Sequence, residues 1–255
     1  GVLFTDNGGI TWRNIDGKRT NGWRAADFLN PDVGVVAGLE GRTLIVGGRK
    51  LMQPRVPKLG NQGIHDIKLQ ATGVGWLVGD GGLVLTTRNG GISWQTPQQM
   101  LPQELRDIVD FRAVASRGSN VWIAGNPGSV IWHSNNGGRS WMRQFSGQPQ
   151  PIHALSFVSD QLGWAVGAMG LMLRTDDGGQ TWSVLRGGNR RAALLAIHAR
   201  PSQVSFRLLA KYSREYGYRS TVALIPRQEL AQSGAHDLDL RLHEAVTESG
   251  GSDGE

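Results

Sequence analysis

One motif recurs along this chain at a nearly fixed spacing, and the recurrence limits the available folds more than any other feature. Four segments carry it: FTDNGGITWRNI, LTTRNGGISWQT, WHSNNGGRSWMR and LRTDDGGQTWSV. Their tryptophans are Trp12, Trp94, Trp141 and Trp182, separated by 82, 47 and 41 residues. The first gap is twice 41, which predicts a degenerate copy between. GVVAGLEGRTLIVGGRK, from Gly34, aligns with GWLVGDGGLVLTTRNGG, from Gly75, at an offset of 41. In that copy Gln53 stands where the tryptophan belongs. Such self-similarity marks a repeat architecture, in which each unit buries its apolar face against the next.

Each copy also carries an upstream signature. WLVGDGGLVLTT, WIAGNPGSVIWHS and WAVGAMGLMLRT share a tryptophan, a short apolar run, a paired-glycine spacing and a second apolar run. Before these lie IHDIKLQAT, FRAVAS and IHALSFVS. The runs have the length and residue types of strands. Glycine pairs and Asn-Gly or Asp-Gly steps supply hairpin turns, and the chain has 37 glycines. About four strands in a unit of roughly 41 residues is the arithmetic of a propeller blade. The sequence thus predicts a mainly β fold: a β-propeller over residues 1–188, holding about four and a half blades of a larger ring. An open ring leaves unpaired strand edges.

The four boxes fit Ser/Thr-x-Asp/Asn-x-Gly-x-Ser/Thr-Trp. The residues are Thr5, Asn7, Gly9, Thr11 and Trp12; Thr87, Asn89, Gly91, Ser93 and Trp94; Ser134, Asn136, Gly138, Ser140 and Trp141; and Thr175, Asp177, Gly179, Thr181 and Trp182. This pattern resembles the Asp-box, or BNR repeat, of sialidases, sortilin-type receptors and photosystem II assembly factors. With the W-x-V/A-G signature, residues 1–188 look most like the photosystem II stability/assembly factor family. That resemblance implies a non-catalytic scaffold whose loops bind a protein partner. The chemistry of the box itself points to structure. A side-chain oxygen can accept backbone N–H groups within its own turn, and the glycine can take positive φ. Asn7, Asn89 and Asn136 stand in the acid's place, the last two with no acid nearby in the box, which a turn tolerates and a catalytic or metal-binding carboxylate does not.

Enzymatic readings must be met by the same residues. A sialidase-like hydrolase uses a tyrosine nucleophile, and the three tyrosines, Tyr212, Tyr216 and Tyr218, all lie beyond the repeats. No cysteine is present, which excludes disulfides, cysteine-ligated zinc and a cysteine nucleophile. The net charge is +6, spread along the surface without aromatic interleaving, so no nucleic-acid site is expected. His65 and His153 stand at equivalent repeat positions; packing or hydrogen bonding is the expected role, with metal ligation as the alternative. No apolar run approaches the roughly 20 residues of a membrane-spanning helix. The chain opens without methionine, so a preceding segment is expected. The expected location is extracytoplasmic, in a bacterial periplasmic or secreted protein.

Beyond residue 188 the period changes. AALLAIHA reads as a strand, VSFRLLAKYSREYGY as a helix through Val204, Leu208, Leu209, Tyr212 and Tyr216, and STVALI as a second strand. The sequence therefore predicts a partial α/β (βαβ) segment over 189–255. This layout resembles the opening of the GlcNAc-PI de-N-acetylase (LmbE-like) family, with HARPSQ and RLHEA in place of its motifs. The alignment puts Arg200 on the family's metal-binding histidine, Ser202 on its catalytic aspartate and Gln203 on its second metal ligand. That implies a degenerate domain without metal or base, the alternative being a zinc hydrolase that de-N-acetylates an N-acetylglucosamine conjugate through this C-terminal domain. A generic Rossmann-like βαβ unit is the competing reading. No catalytic residue, metal site or cofactor is expected anywhere in the chain.

Overall fold

Short apolar runs alternate with glycine turns along the chain, and the runs pair as antiparallel sheets. The structure, a computed structural model, describes residues 2–5, 10–15, 22–30, 32–48, 50–99, 101–102, 108–186, 192–197, 206–214 and 217–225. Strands β1 (Leu3–Phe4) and β2 (Arg13–Asn14) form a two-stranded sheet. Next comes a four-stranded meander of β3 (Trp23–Asn30), β4 (Val33–Gly38), β5 (Thr43–Gly47) and β6 (Lys50–Met52). Strands β7 (Ile64–Leu69), β8 (Gly75–Gly79) and β9 (Val84–Thr87) form the third sheet, to which Gln95 adds an antiparallel bridge at Thr86. The fourth sheet holds β10 (Asp110–Arg117), β11 (Asn120–Asn126), β12 (Val130–Ser134) and β13 (Met142–Phe145). The fifth holds β14 (Ile152–Phe157), β15 (Gly163–Gly167), β16 (Met172–Thr175) and β17 (Ser183–Arg186). In every sheet the order in space is the order in sequence. The expected four and a half blades are these five sheets, the first being the half blade.

By its contacts the chain divides into two compact units, Gly1–Val121 with Ser134–Trp141, and Trp122–His133 with Met142–Glu255. In the first unit, β7 packs beside β3 and β4, and β10 beside β7 and β8. Its core gathers Val35, Ile64, Ile67, Leu77, Leu85 and Trp94. Every residue of β8 is buried, which explains its unbroken apolar run. Burying each large aliphatic side chain contributes about 1.5–3 kcal/mol.

Carboxylates reinforce this packing. Asp27 Oδ2 accepts from the Leu69 amide at 2.7 Å, tying β3 to β7. Asp66 Oδ2 accepts from the Val114 amide at 2.9 Å, tying β7 to β10. Burial pushes the Asp66 carboxyl up to about 7, against the pull of two amide donors and Lys68.

The tail departs from expectation. Strands β18 (Ala192–Ala196), β19 (Phe206–Arg214) and β20 (Gly217–Ile225) form a three-stranded antiparallel sheet. No helix occupies 206–214, so the expected helix fails there, while the expected strand at Ser220–Ile225 lies within β20. The residues fit both periods: Leu208, Leu209 and Tyr212 have helical spacing, while Phe206, Leu208, Ala210 and Tyr212 alternate. Pairing to β18 on one side and β20 on the other decides for strand. In the second unit β18 packs beside β14 and β15, as β7 packs beside β3 and β4. Arg200, Ser202, Gln203 and the RLHEA segment lie outside the described residues.

Candidate functional site

The box hairpins close on themselves through one hydroxyl and one amide or carboxylate. In the second box Thr87 Oγ1 donates to Asn89 Oδ1 at 2.9 Å and accepts from the Gly91 amide at 3.0 Å. Asn89 Oδ1 also accepts from the Ser93 amide at 2.9 Å. Ser134, Asn136, Gly138 and Ser140 repeat this geometry, as do Thr175, Asp177, Gly179 and Thr181. The last bond shows how Asn and Asp interchange. Asn89 and Asn136 donate through Nδ2 to the hydroxyls of Ser93 and Ser140. Asp177 cannot donate, and there the Thr181 hydroxyl donates to Asp177 Oδ2 at 2.6 Å. A hydroxyl rotates to serve either partner.

The second, third and fourth boxes are each seated on the second strand of the preceding blade. A Cβ on Gly91 would overlap Val35, and one on Gly138 would overlap the Trp76 ring. Both glycines also have φ near +80 to +90°, so two independent constraints select glycine. Trp141 meets Trp76 edge-on, at 5.9 Å between centroids. In the second unit Trp122 Nε1 donates to the Gly178 carbonyl at 2.8 Å. Val35, Trp76 and Trp122 hold equivalent positions on β4, β8 and β11. In the first box Trp12 is 58% exposed, against 4% for Trp94. Thr5 and Thr11 are described there; Asn7 and Gly9 lie outside the described residues.

A different set of side chains gathers near the start of the first strands of successive sheets in the first unit. Arg24 on β3 and His65 on β7 stand where the ladder slips by one residue, a bulge that re-aims a side chain. Arg24 Nη1 donates to His65 Nδ1 at 2.8 Å. Arg112 Nη1, from β10, approaches the same nitrogen at 3.4 Å. With Nδ1 accepting, the geometry puts the proton of His65 on Nε2, which donates to Asp80 Oδ1. Asp80 Oδ2 in turn accepts from the Gly63 amide at 3.0 Å. Asp110 lies 3.4 Å from Arg112 and accepts from the Gly81 amide.

Electrostatics follow from this arrangement. Burial lowers the His65 pKa, and the fields of Arg112 and Arg24 lower it further, outweighing the hydrogen bond to Asp80. For Asp80, burial acts upward, but the His65 hydrogen bond and charge, with the Gly63 amide and Arg112, hold the carboxyl below its usual range. The result is a neutral imidazole on which two guanidiniums converge. Arg24 is exposed and the Arg112 side chain is 33% exposed, so both reach solvent. Among the described residues no group of three His, Asp or Glu is arranged to hold a metal ion.

The family model for the photosynthesis system II assembly factor YCF48 matches residues 57–156, and the BNR/Asp-box repeat model matches residues 173–184. The photosystem II assembly lipoprotein Ycf48 of Synechococcus sp. (strain CC9902) is 35% identical over 124 residues, covering 46% of this chain and 35% of that protein. The chain is an Asp-box β-propeller similar to photosystem II assembly factors. Among solved structures, YCF48 bound to D1 peptide has a TM-score of 0.50 at 21% identity, covering 62% of this chain and 53% of that one. A GH74 enzyme of Niastella koreensis has a TM-score of 0.61 at 12% identity, covering 81% and 36%. These structural likenesses concern the fold alone. The chain spans about a third of the length of the curated relatives it matches.

In this assembly-factor-like propeller the gathered residues are mostly ones that motif reading overlooks. The repeat position singles out His65, but no motif singles out Arg24, Asp80, Asp110 or Arg112. A signal does exist. Arg24, His65, Arg112 and His153 each stand 29 residues before the box tryptophan position, at Gln53, Trp94, Trp141 and Trp182.

The Asp/Asn exchange yields a prediction. Burial acts upward on the Asp177 carboxyl, but the Thr181 hydroxyl and amide, the Thr175 hydroxyl and the Gly179 amide together hold it at about 2. Its folded pKa is depressed, so its contribution is present above the usual carboxylate range and lost as pH falls through about 2. Asp177→Asn should change stability by less than about 0.5 kcal/mol at pH 7 and reduce the loss between pH 4 and 2. Urea denaturation at both ends of that range measures it. A cost above about 2 kcal/mol at pH 7 would show that the charge itself is needed.

Proposed function

We propose that this chain is a non-catalytic β-propeller scaffold, similar in role to photosystem II assembly factors, that binds an anionic segment of a protein partner. The observation that carries this reading is the convergence of Arg24 and Arg112 on His65 Nδ1. Two guanidiniums aimed at one acceptor present the fork that a carboxylate fills. The related YCF48 was solved bound to a D1 peptide, which supports a peptide as the partner class. The box hairpins are read as structural staples, and residues 1–188 as the scaffold. An extracytoplasmic placement is supported by a relative named as a lipoprotein. No helix among the described residues is long and apolar enough to cross a membrane. A de-N-acetylase role for the tail has less support, since Phe206–Arg214, where its helix is expected, is a strand paired antiparallel to Gly217–Ile225.

The test is direct. A fluorescein-labelled hexaglutamate peptide serves as probe, with binding followed by anisotropy. Arg24→Ala and Arg112→Ala should each weaken binding about tenfold, as expected for loss of a charge-assisted pair. Raising the salt concentration should weaken the wild type more than either variant. Equal affinity for wild type and the double variant would move the binding face elsewhere.

A further inference from the structure

We propose that His65 is a proton-linked positioning residue, which holds the two guanidiniums when neutral and releases them to an anionic ligand when protonated. This rests on the reading of Arg24 and Arg112 as the binding pair. The argument begins with hydrogen-bond roles. Nδ1 of His65 accepts from Arg24 at 2.8 Å, so that nitrogen carries no proton. The Nε2–H is committed to Asp80. His65 therefore occupies, with its own lone pair, the acceptor position that a ligand carboxylate would take. Its side chain is 6% exposed, so it acts through the arginines rather than by meeting solvent.

A second proton can enter only at Nδ1, and its arrival reverses the contact. The nitrogen turns from acceptor to donor, and the imidazolium repels both guanidiniums. Asp80 stays in place to balance the new charge, held by the Gly63 amide. Arg24, Arg112 and the Nδ1–H then form three donors with no shared acceptor, and a carboxylate supplies one. Proton uptake and anion binding therefore favour each other, and by linkage each strengthens the other by the same factor.

Among the groups around the cluster, Asp66 is raised to about 7 by burial and also titrates in this range, so the His65→Gln variant, which keeps Asp66, separates the two. On β3, Asp27 pairs with Lys68 of β7 at 3.2 Å. On β7 itself, Asp66 accepts from the Ile67 and Val114 amides. On β10, Asp110 faces Arg112. In the turn after β4, Glu40 pairs with Arg42 at 2.7 Å. Among these groups His65 alone stands between the two arginines.

The experiment uses the same hexaglutamate probe, whose carboxylates stay ionised from pH 5.5 to 8. For the wild type, binding at pH 5.5 should be severalfold tighter than at pH 8, the ceiling being about tenfold for each unit by which the pKa of one group rises on binding. His65→Gln keeps an oxygen for Arg24 and an amide N–H for Asp80 but cannot take a proton. Its binding should be nearly flat over the same range, which also separates His65 from the general effect of other histidines. In parallel, the Cε1–H resonance of His65 in the wild type should titrate at higher pH when the peptide is present. The inference is overturned if His65→Gln keeps the wild-type slope, or if the resonance titrates identically with and without peptide. The resonance measurement stands even if His65→Gln fails to fold. If Arg24→Ala and Arg112→Ala bind normally at every pH, the binding-site reading itself falls. If they lose binding while the His65→Gln slope persists, only the proton linkage falls.

Discussion

Replacing Trp122 with alanine is expected to destabilise the protein by about 3–5 kcal/mol, the range for removing a buried tryptophan. Three features add to the effect. The side chain is fully buried on β11. Its ring stacks with Phe157, at 3.7 Å between centroids, and with His133, at 4.8 Å. Its Nε1 donates to the Gly178 carbonyl of the fourth box. Alanine would leave a cavity lined by the Phe157 and His133 rings, and stiff strands cannot collapse to fill it. The Gly178 carbonyl would keep one donor, Gln144 Nε2 at 3.1 Å. Trp122→Phe separates the contributions: it keeps a stacked ring and loses the donor, at about 1–2 kcal/mol. Chemical denaturation of the two variants at neutral pH checks both values. A loss below about 1 kcal/mol for Trp122→Ala would mean that the box does not depend on its seat.

That seat explains what the sequence does and does not disclose. The tryptophans of the boxes are visible because their spacing is regular, and the spacing leads to the blade count. The tryptophan of the W-x-V/A-G signature is equally visible, but its partner is not. Nothing in the linear order says that Trp76 lies under Gly138, or that Trp122 lies under Gly178. These contacts join one blade to the next, and register across blades is a tertiary property. The basic cluster is hidden for a related reason. Arg24 and Arg112 look like scattered surface charge until they are lined up with His65 by the 29-residue offset. Asp80 and Asp110 obey no such offset and enter only through the fold, Asp80 in the turn after β8 and Asp110 by its bond to the Gly81 amide of that turn.

The tail shows the opposite failure, in which a pattern is present and ambiguous. A run such as FRLLAKYSR satisfies a helical stripe and a strand alternation together. Local periodicity cannot choose between them when both faces carry apolar residues. The neighbours choose: β19 is paired along its length to β20 and, on its other edge, to β18. A segment with two pairing partners satisfies its backbone groups as strand.

Glycine placement gives the other large effect. Gly79→Ala should cost about 3 kcal/mol, at the upper end of what overpacking a tight site costs. The reason is not backbone conformation, because Gly79 lies outside the positive-φ region that favours glycine. It is proximity: an added Cβ would fall on the carbonyl oxygen of Gly63, far inside van der Waals contact. The obstacle is backbone, so no side-chain rotation relieves it. Gly38 and Gly167 stand at the same position in their blades, and a Cβ there would meet the carbonyls of Gly22 and Pro151. Three repeats thus bring a neighbouring carbonyl against the last residue of the second strand, beside the bulge that carries Arg24, His65 or His153. Gly118→Ala is the control. Its φ is +53°, nothing lies within 4 Å of its added Cβ, and its cost should be about 1 kcal/mol, from backbone strain alone. Thermal and urea denaturation of both variants should therefore rank Gly79→Ala well above Gly118→Ala. Gly79→Ala should also weaken binding of the hexaglutamate probe, since moving the Gly63 strand end shifts the His65 bulge. Equal stability losses for the two variants would show that the close approach at the bulge does not constrain the fold.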